Sequence, residues 1–251
     1  MNNANIIGLL LLDKPKGVTS FKAITKLKLL LNLSKVGHCG TLDPNATGLL
    51  LVLVGIATKF QYQLTQTNKV YFCSFILGIT STTDDVTGII IRKEHVSNID
   101  IKKMKKIFSM FEGNILQIPP MYSAVKYHGK KLYEFARHNV SVQRMAKRIT
   151  IYKIDFLSCS ANIVYIKVNC SKGTYIRSLV RDIGKIYGCG AVVKDLRRYS
   201  IGQFTVKDAL TFQIFNNNTS KLIHKNEKYF ITYNTLLTWR KNKYFEQDKI
   251  Y

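Results

Sequence analysis

The sequence predicts an α+β fold, and three observations carry that prediction. Apolar, β-branched or aromatic runs of strand length recur along the chain, from Ile6–Asp13 to Cys189–Ser200. Three longer stretches, Thr19–Leu31, Asn98–Phe111 and Thr174–Tyr187, carry apolar residues at helical spacing. The two kinds of segment mix without a regular strand–helix–strand rhythm, which disfavours a doubly wound parallel sheet. With 251 residues and 46% hydrophobic content, the chain can bury one sizeable core or two smaller ones.

Ile6–Asp13 is an apolar run ended by Lys14-Pro15-Lys16-Gly17, which reads as a strand and a turn. Thr19 or Ser20 caps a helix reaching about Leu31, with Phe21, Ile24, Leu27 and Leu30 on its inner face. Ser34–Gly48 holds three glycines and Pro44 and is expected to be an irregular loop. Leu49–Val54 is apolar throughout, consistent with a buried strand, and Lys69–Leu77 is a second strand of β-branched and aromatic residues. Asn98 or Asp100 starts the next helix, to Phe111. Ile149–Leu157 and Ile163–Cys170 are strands. Thr174–Tyr187 is a helix whose inner face is Ile176, Leu179, Val180, Ile183 and Ile186, and Cys189–Ser200 holds a turn and a strand. From Phe215 the chain is Asn-rich and weakly patterned, so 213–251 is expected to be a short appendage to a main domain of residues 1–212.

Lys and Arg number 38 against 15 Asp and Glu, a net charge of +23. That excess favours a polyanionic partner, nucleic acid first and an acidic membrane surface second, although part of it can come from a Lys- and Asn-rich composition. The five cysteines are scattered with no C-x-x-C pair, which points to reduced thiols in a cytosol-like compartment and away from a zinc site or disulfide framework. Met1–Asn5 is short and polar, unlike the start of a signal segment. The longest apolar runs, such as Gly48–Ala57, fall well short of the ~20 residues that span a bilayer. A soluble, cytoplasmic protein is therefore expected.

Three segments are candidates for chemistry. In Gly37-His38-Cys39-Gly40-Thr41-Leu42-Asp43-Pro44-Asn45-Ala46-Thr47-Gly48, glycines permit close approach of a ligand, and Pro44 keeps Asp43 out of the helical region. A carboxylate on a rigid loop suits covalent or acid–base catalysis, while an Asp-Pro in a glycine-rich loop can also be a plain turn. Pro119–Thr150 interleaves Lys126, Lys130, Lys131, Arg137, Arg144, Lys147 and Arg148 with Tyr122, Tyr127, Tyr133 and Phe135, and its one acid is Glu134. Cations neutralise phosphates and aromatic faces stack on unpaired bases, which favours RNA over a merely solvated basic face. His128-Gly129 breaks this stretch, consistent with a mobile loop and a short helix. In Cys170-Ser171-Lys172-Gly173-Thr174-Tyr175-Ile176-Arg177, the arginine stands in a first helical turn, where a cation opposes the helix dipole. A buried carboxylate partner would explain it; so would simple exposure.

Taken together these segments resemble the TruB family of bacterial tRNA pseudouridine-55 synthases. The likeness runs through Gly8–Gly17, Gly37–Pro44, Lys69-Val70-Tyr71 with Leu77–Asp84, Ile118–Lys126 with Gly129–Tyr133, Lys172–Arg177 and Leu196-Arg197-Arg198, covering roughly residues 6 to 210 in the family's order. It implies a pseudouridine synthase fold: a central mixed, mainly antiparallel sheet flanked by helices and loops, with an inserted RNA-clamping thumb at about 117–150. It makes Asp43 the catalytic carboxylate and Arg177 its partner. Tyr71 would stack on the target base, Tyr175 and Leu196 would line the pocket, and His38 would help hold the rearranged RNA loop. Lys14 and Pro15 would pack beneath the Asp43 loop. Lys126, Lys130, Lys131, Arg137, Arg144 and Arg148 would grip RNA. Three departures stand out: Cys39 replaces a usual Thr, Gln143-Arg144-Met145-Ala146 lacks a proline and an acid of the clamp, and the tail does not resemble a complete PUA-type domain.

The implied reaction isomerises a uridine in the T-loop of tRNA. It breaks the N1–C1′ bond, turns the base and joins C5 to C1′, so no redox change occurs and neither cofactor nor metal is expected. The base must leave its stack, at a cost of a few kcal/mol that phosphate contacts can offset. The expected partner is the tRNA T-stem-loop, met by a monomeric enzyme without membrane contact. Two rival readings remain. A non-catalytic RNA-binding protein would use the basic clamp alone. A glycosidase-like hydrolase would need a second carboxylate, for which Asp84 and Asp85 are candidates.

Overall fold

The computed structural model describes residues 6–214 and 229–242. Contact density divides the chain into two compact units, one formed by residues 1–71 and 197–251 and the other by 72–196. Much of the expected appendage, 213–251, and the polar Met1–Asn5 start fall outside the described residues.

The first unit begins with β1 (Gly8–Lys14), α1 (Ser20–Leu30), β2 (Val36–Cys39), β3 (Thr47–Val54) and α2 (Gln61–Gln66). β3 pairs antiparallel with β1 over seven residues and with β2 over four. Side chains alternate across a strand, and here both sides are covered. Leu10, Leu12, Leu50, Val52 and Val54 join Ala23, Ile24 and Leu27 of α1 in one cluster. Leu9, Leu11, Leu49, Leu51 and Leu53 join Ala57, Phe60 and Leu64 in the other. That double burial is why β1 and β3 read as unbroken apolar runs. The Thr19 hydroxyl accepts from Lys22 N (3.1 Å) and caps α1, as expected.

Two expectations need correction. Phe21 and Leu30 do not face inward; they are 71% and 47% exposed, and the buried residues of α1 are Ser20, Ala23, Ile24 and Leu27. Ser34–Gly48 is not wholly irregular, because β2 lies within it. Val36-Gly37-His38-Cys39 is too short and too mixed to carry a strand pattern of its own, and pairing with β3 decides the conformation.

The second unit takes up the chain within β4 (Lys69–Leu77) and adds β5 (Ile79–Ser81), β6 (Ile90–Lys93), α3 (Ile101–Phe111), β7 (Gly113–Gln117), β8 (Lys126–Tyr127), β9 (Lys130–Lys131), α4 (Leu132–Arg137), β10 (Lys147–Ser160), β11 (Ile163–Cys170) and α5 (Ile176–Tyr187). It ends within β12 (Ala191–Ile201), whose last residues belong to the first unit. Strand order here is β12-β4-β11-β10-β7, with β10 antiparallel to both β11 and β7. The Asp100 carboxylate accepts from Lys103 N (2.9 Å) and caps α3. Ile176, Leu179, Val180 and Ile183 of α5 are buried, whereas Ile186, assigned to the same face, is 45% exposed because it lies on the last turn. Gly188 then closes the helix at φ +108°.

The first unit is completed by the end of β12, which pairs parallel with β3 through Arg197–Thr47 and Arg198–Gly48, and by β13 (Phe204–Thr205), β14 (Phe230–Thr232) and α6 (Tyr233–Lys241). β14 pairs antiparallel with β1, and Leu236 of α6 packs into the second cluster. A mixed, mainly antiparallel α+β architecture results. No helix among the described residues is long and apolar enough to cross a membrane.

Candidate active site and nucleic-acid interface

In the first unit the Asp43 loop is tied down from four directions. Lys14, fully buried, spends its three ammonium protons on carbonyls: Pro15 O (3.0 Å), Val18 O (2.8 Å) and Pro44 O (3.2 Å). Gly17 N donates to the same Pro44 oxygen (2.9 Å). The Ser20 hydroxyl accepts from Leu42 N (2.9 Å) and donates to Leu42 O (3.0 Å), a two-point bond to the residue before Asp43. Ala46 N donates to Asp43 O (3.1 Å), closing a turn over Pro44. Asp43 is left half-buried at the tip of this loop, and Pro15 is exposed beside it.

Two arginines to which sequence reasoning gave no role complete the support. Arg198 is 1% exposed; its Nε donates to Leu49 O (2.8 Å) and one terminal nitrogen to Gly40 O (3.0 Å), so one planar fork fastens the start of the loop to the strand that follows it. Arg197 meets the Asp13 carboxylate with both terminal nitrogens (2.6 and 3.0 Å), just ahead of Lys14. Gly48, at φ +103°, lies so close to this strand that a Cβ would stand 2.3 Å from Arg198 O. The available signal was a pair of arginines on a strand otherwise reading as buried.

This packing leaves electrostatic marks. Burial lowers the Lys14 pKa to about 8; the Asp43 carboxylate pulls it back up, and the Arg198 cation adds to the lowering. His38, half-buried on β2, is pushed down from its ordinary value by burial and then by Arg198, so its imidazole is neutral at pH 7. Its Nδ1 is buried with no hydrogen-bond partner. Cys39 is fully buried; burial pushes its thiol up to about 12, against the pull of Lys69 and Arg198. All five cysteines are free, and Cys73 and Cys170 are buried as well. N-Ethylmaleimide on the native protein at pH 8 is therefore expected to label Cys159 and Cys189 and to spare the other three until unfolding. Peptide mass mapping reads this out, and rapid labelling of Cys39 would contradict the packing of β2 on β3. Tyr71, also in this unit, is 7% exposed on β4.

The second unit holds Tyr175, Arg177, Leu196 and the basic clamp. Tyr175 N donates to Gln117 Oε1 (2.8 Å), and Gln117 Nε2 donates to Tyr175 O (3.1 Å), joining the start of α5 to the end of β7. Arg177 is 4% exposed, which excludes the simple exposed arginine. Its terminal nitrogens donate to Thr83 O (3.0 Å) and Tyr122 O (2.7 Å). One helical turn on, Arg181 pairs with Asp84 (3.1 Å) and Asp182 (2.9 Å), and Ser178 Oγ donates to Ile118 O (2.9 Å). Burial pushes the Asp84 carboxyl up, while Arg181 and Arg177 oppose the rise. The foot of the clamp is thus fastened to the first half of α5. Leu196 is half-buried on β12.

The clamp emerges between β7 and β10. β8 and β9 form a hairpin whose turn residues, His128 (φ +47°) and Gly129 (φ +82°), are both left-handed, and α4 follows as the short helix. Lys126, Lys130, Arg137 and Arg148 are exposed. Lys131 and Arg137 lie 5.5 and 5.0 Å from the centre of the Tyr133 ring. Arg144 is half-buried and donates to Pro119 O (3.0 Å), so it braces the clamp's foot. Among the described residues, no three His, Cys, Asp or Glu side chains are grouped to hold a metal.

Residues 28–176 match the family described as TruB family pseudouridylate synthase (N terminal domain), and residues 177–236 match the tRNA pseudouridylate synthase B C-terminal domain. A tRNA pseudouridine synthase B from Endomicrobium trichonymphae is 52% identical over 221 residues, 88% of this chain and 96% of the relative. Another, from Clostridium kluyveri, is 42% identical over 212 residues, 84% of this chain and 72% of the relative. Among solved structures, a chain in a Cbf5-Nop10-Gar1 complex aligns with TM-score 0.68 and 30% identity over 89% of this chain and 58% of that one. A chain in an H/ACA RNP bound to a substrate RNA containing 2'-deoxyuridine aligns with TM-score 0.65 and 26% identity over 89% of this chain and 57% of that one.

Proposed function

Because this chain belongs to the TruB family of pseudouridylate synthases, we propose that it isomerises the T-loop uridine of tRNA, position 55, with Asp43 as the catalytic carboxylate. The observation that carries this reading is the Asp43 loop. Lys14, Ser20 and Arg198 all serve to hold it, and such fixed placement of a half-buried carboxylate is what catalysis needs and a plain turn does not. Relatives named tRNA pseudouridine synthase B supply the substrate class.

In this proposal Arg177 is the partner of Asp43, a guanidinium that would aim the carboxylate. The target base leaves its stack and rests on Tyr71, with Tyr175 and Leu196 lining the pocket and the neutral His38 steadying the loop. The exposed clamp cations Lys126, Lys130, Arg137 and Arg148, with the half-buried Lys131, meet phosphates, and Arg144 keeps the clamp in place. The N1–C1′ bond breaks, the freed uracil turns, and C5 bonds to C1′; C5 gives up one proton and N1 takes one up, directly or by way of solvent, so the RNA keeps its mass. A monomeric enzyme acting in the cytoplasm belongs to the same proposal, with residues 1–212 as its catalytic domain.

The test is an unmodified tRNA transcript incubated with purified protein and mapped by carbodiimide-dependent primer-extension stops. One new stop at the T-loop uridine, with RNA mass unchanged, is expected. A fall in mass would mean base removal, and no stop would leave a binding protein; either result overturns the reading.

A further inference from the structure

Among the described residues, the two most exposed aromatic side chains are Phe21 (71%) and Tyr62 (72%). Both stand next to residues that hold the segment running from His38 to Asp43. Phe21 follows Ser20, whose hydroxyl makes both bonds to Leu42. Tyr62 follows Gln61, whose amide nitrogen donates to His38 O (3.0 Å). Each end of the segment is therefore bonded to a residue whose sequence neighbour is a large exposed ring, within a single compact unit. Neither ring helps the core: α1 buries Ala23, Ile24 and Leu27, and α2 buries Leu64. Exposed lysines accompany both, Lys16, Lys22 and Lys26 near Phe21 and Lys59 one turn before Tyr62.

We propose that Phe21 and Tyr62 are stacking platforms for two unpaired bases of the RNA loop, one on each side of the extruded uridine. The proposal rests on the reading of Asp43 as the catalytic site. Single-stranded RNA is held by aromatic faces that take up bases and by cations that follow the backbone, and stacking tolerates any base because every base has a π-face. Extruding one uridine unstacks its neighbours, and the two exposed rings give those neighbours a new surface. Phe21 and Tyr62 were not among the residues assigned a role from the sequence, and they would add a grip on the loop to that of the clamp.

The test uses a T-stem-loop RNA carrying 2-aminopurine at the nucleotide on either side of the target uridine. Fluorescence is expected to be quenched when the parent protein binds. Phe21→Ala is expected to abolish quenching at one position and Tyr62→Ala at the other, each weakening binding roughly 5- to 100-fold, the range of one lost stacking contact. Phe21→Trp and Tyr62→Phe are expected to restore both signals. Unchanged melting temperatures separate lost stacking from lost folding. If both alanine variants bind and quench like the parent, the platforms do not exist and the rings serve some other partner. If the parent quenches but forms no pseudouridine, the stacking stands and the catalytic reading fails.

Discussion

Asp43→Asn is expected to abolish pseudouridine formation while RNA binding stays within about threefold of the parent. The substitution is nearly isosteric, and the main-chain bonds at Leu42, Asp43 and Pro44 that hold the loop are kept by an asparagine. The clamp and its cations lie elsewhere in the chain and are untouched. What disappears is the ionised oxygen that would attack or accept a proton, and a catalytic group of that kind is worth many powers of ten in rate. A second consequence can be measured independently. Asp43 draws the Lys14 pKa upward, so its neutralisation should let that pKa settle below about 8. Primer-extension mapping and filter binding on one preparation give the decisive comparison. Equal loss of turnover and binding would make Asp43 a structural residue and remove the basis of the proposed function.

The sequence was informative where structure is local. Thr19 caps α1 through a bond to Lys22 three residues on, and such a bond is readable from residue type and spacing. The unbroken apolar runs of β1 and β3 announced strands, and the structure adds that both faces are covered, which is why the runs are unbroken. Phe21 and Leu30 were misassigned because periodicity locates a helical stripe but cannot say how wide the covering surface is. α1 buries a narrower face than its sequence offers. β2 was missed because a four-residue strand with Gly37 in it has no pattern of its own and exists by pairing with β3. At the site, Asp43 and Lys14 were found as residue types in order. Arg198 was not, since its partner Gly40 is 158 positions away and nothing in a strand arginine says that it is buried.

That distance makes Arg198 a single side chain on which two remote segments depend. Arg198→Met keeps volume and removes both donors, leaving the Gly40 and Leu49 carbonyls without their partner in a buried setting. An orphaned buried acceptor costs about 1–3 kcal/mol, so the pair should cost roughly 2–6 kcal/mol, and melting should fall by about 5–20 °C. Turnover should fall further than stability explains, because a shift of about 1 Å in a catalytic group costs on the order of a hundredfold. Arg198→Lys supplies the contrast. Its single ammonium is a point donor and cannot span Leu49 O and Gly40 O as the planar fork does, so melting should recover in part while turnover stays low. The charge has its own signature. Arg198 helps hold the His38 pKa down, so an NMR titration of His38 should move upward in Arg198→Met and stay near the parent value in Arg198→Lys. If Arg198→Met melts and turns over like the parent, the loop is held without the fork, and the support assigned to β12 must be withdrawn.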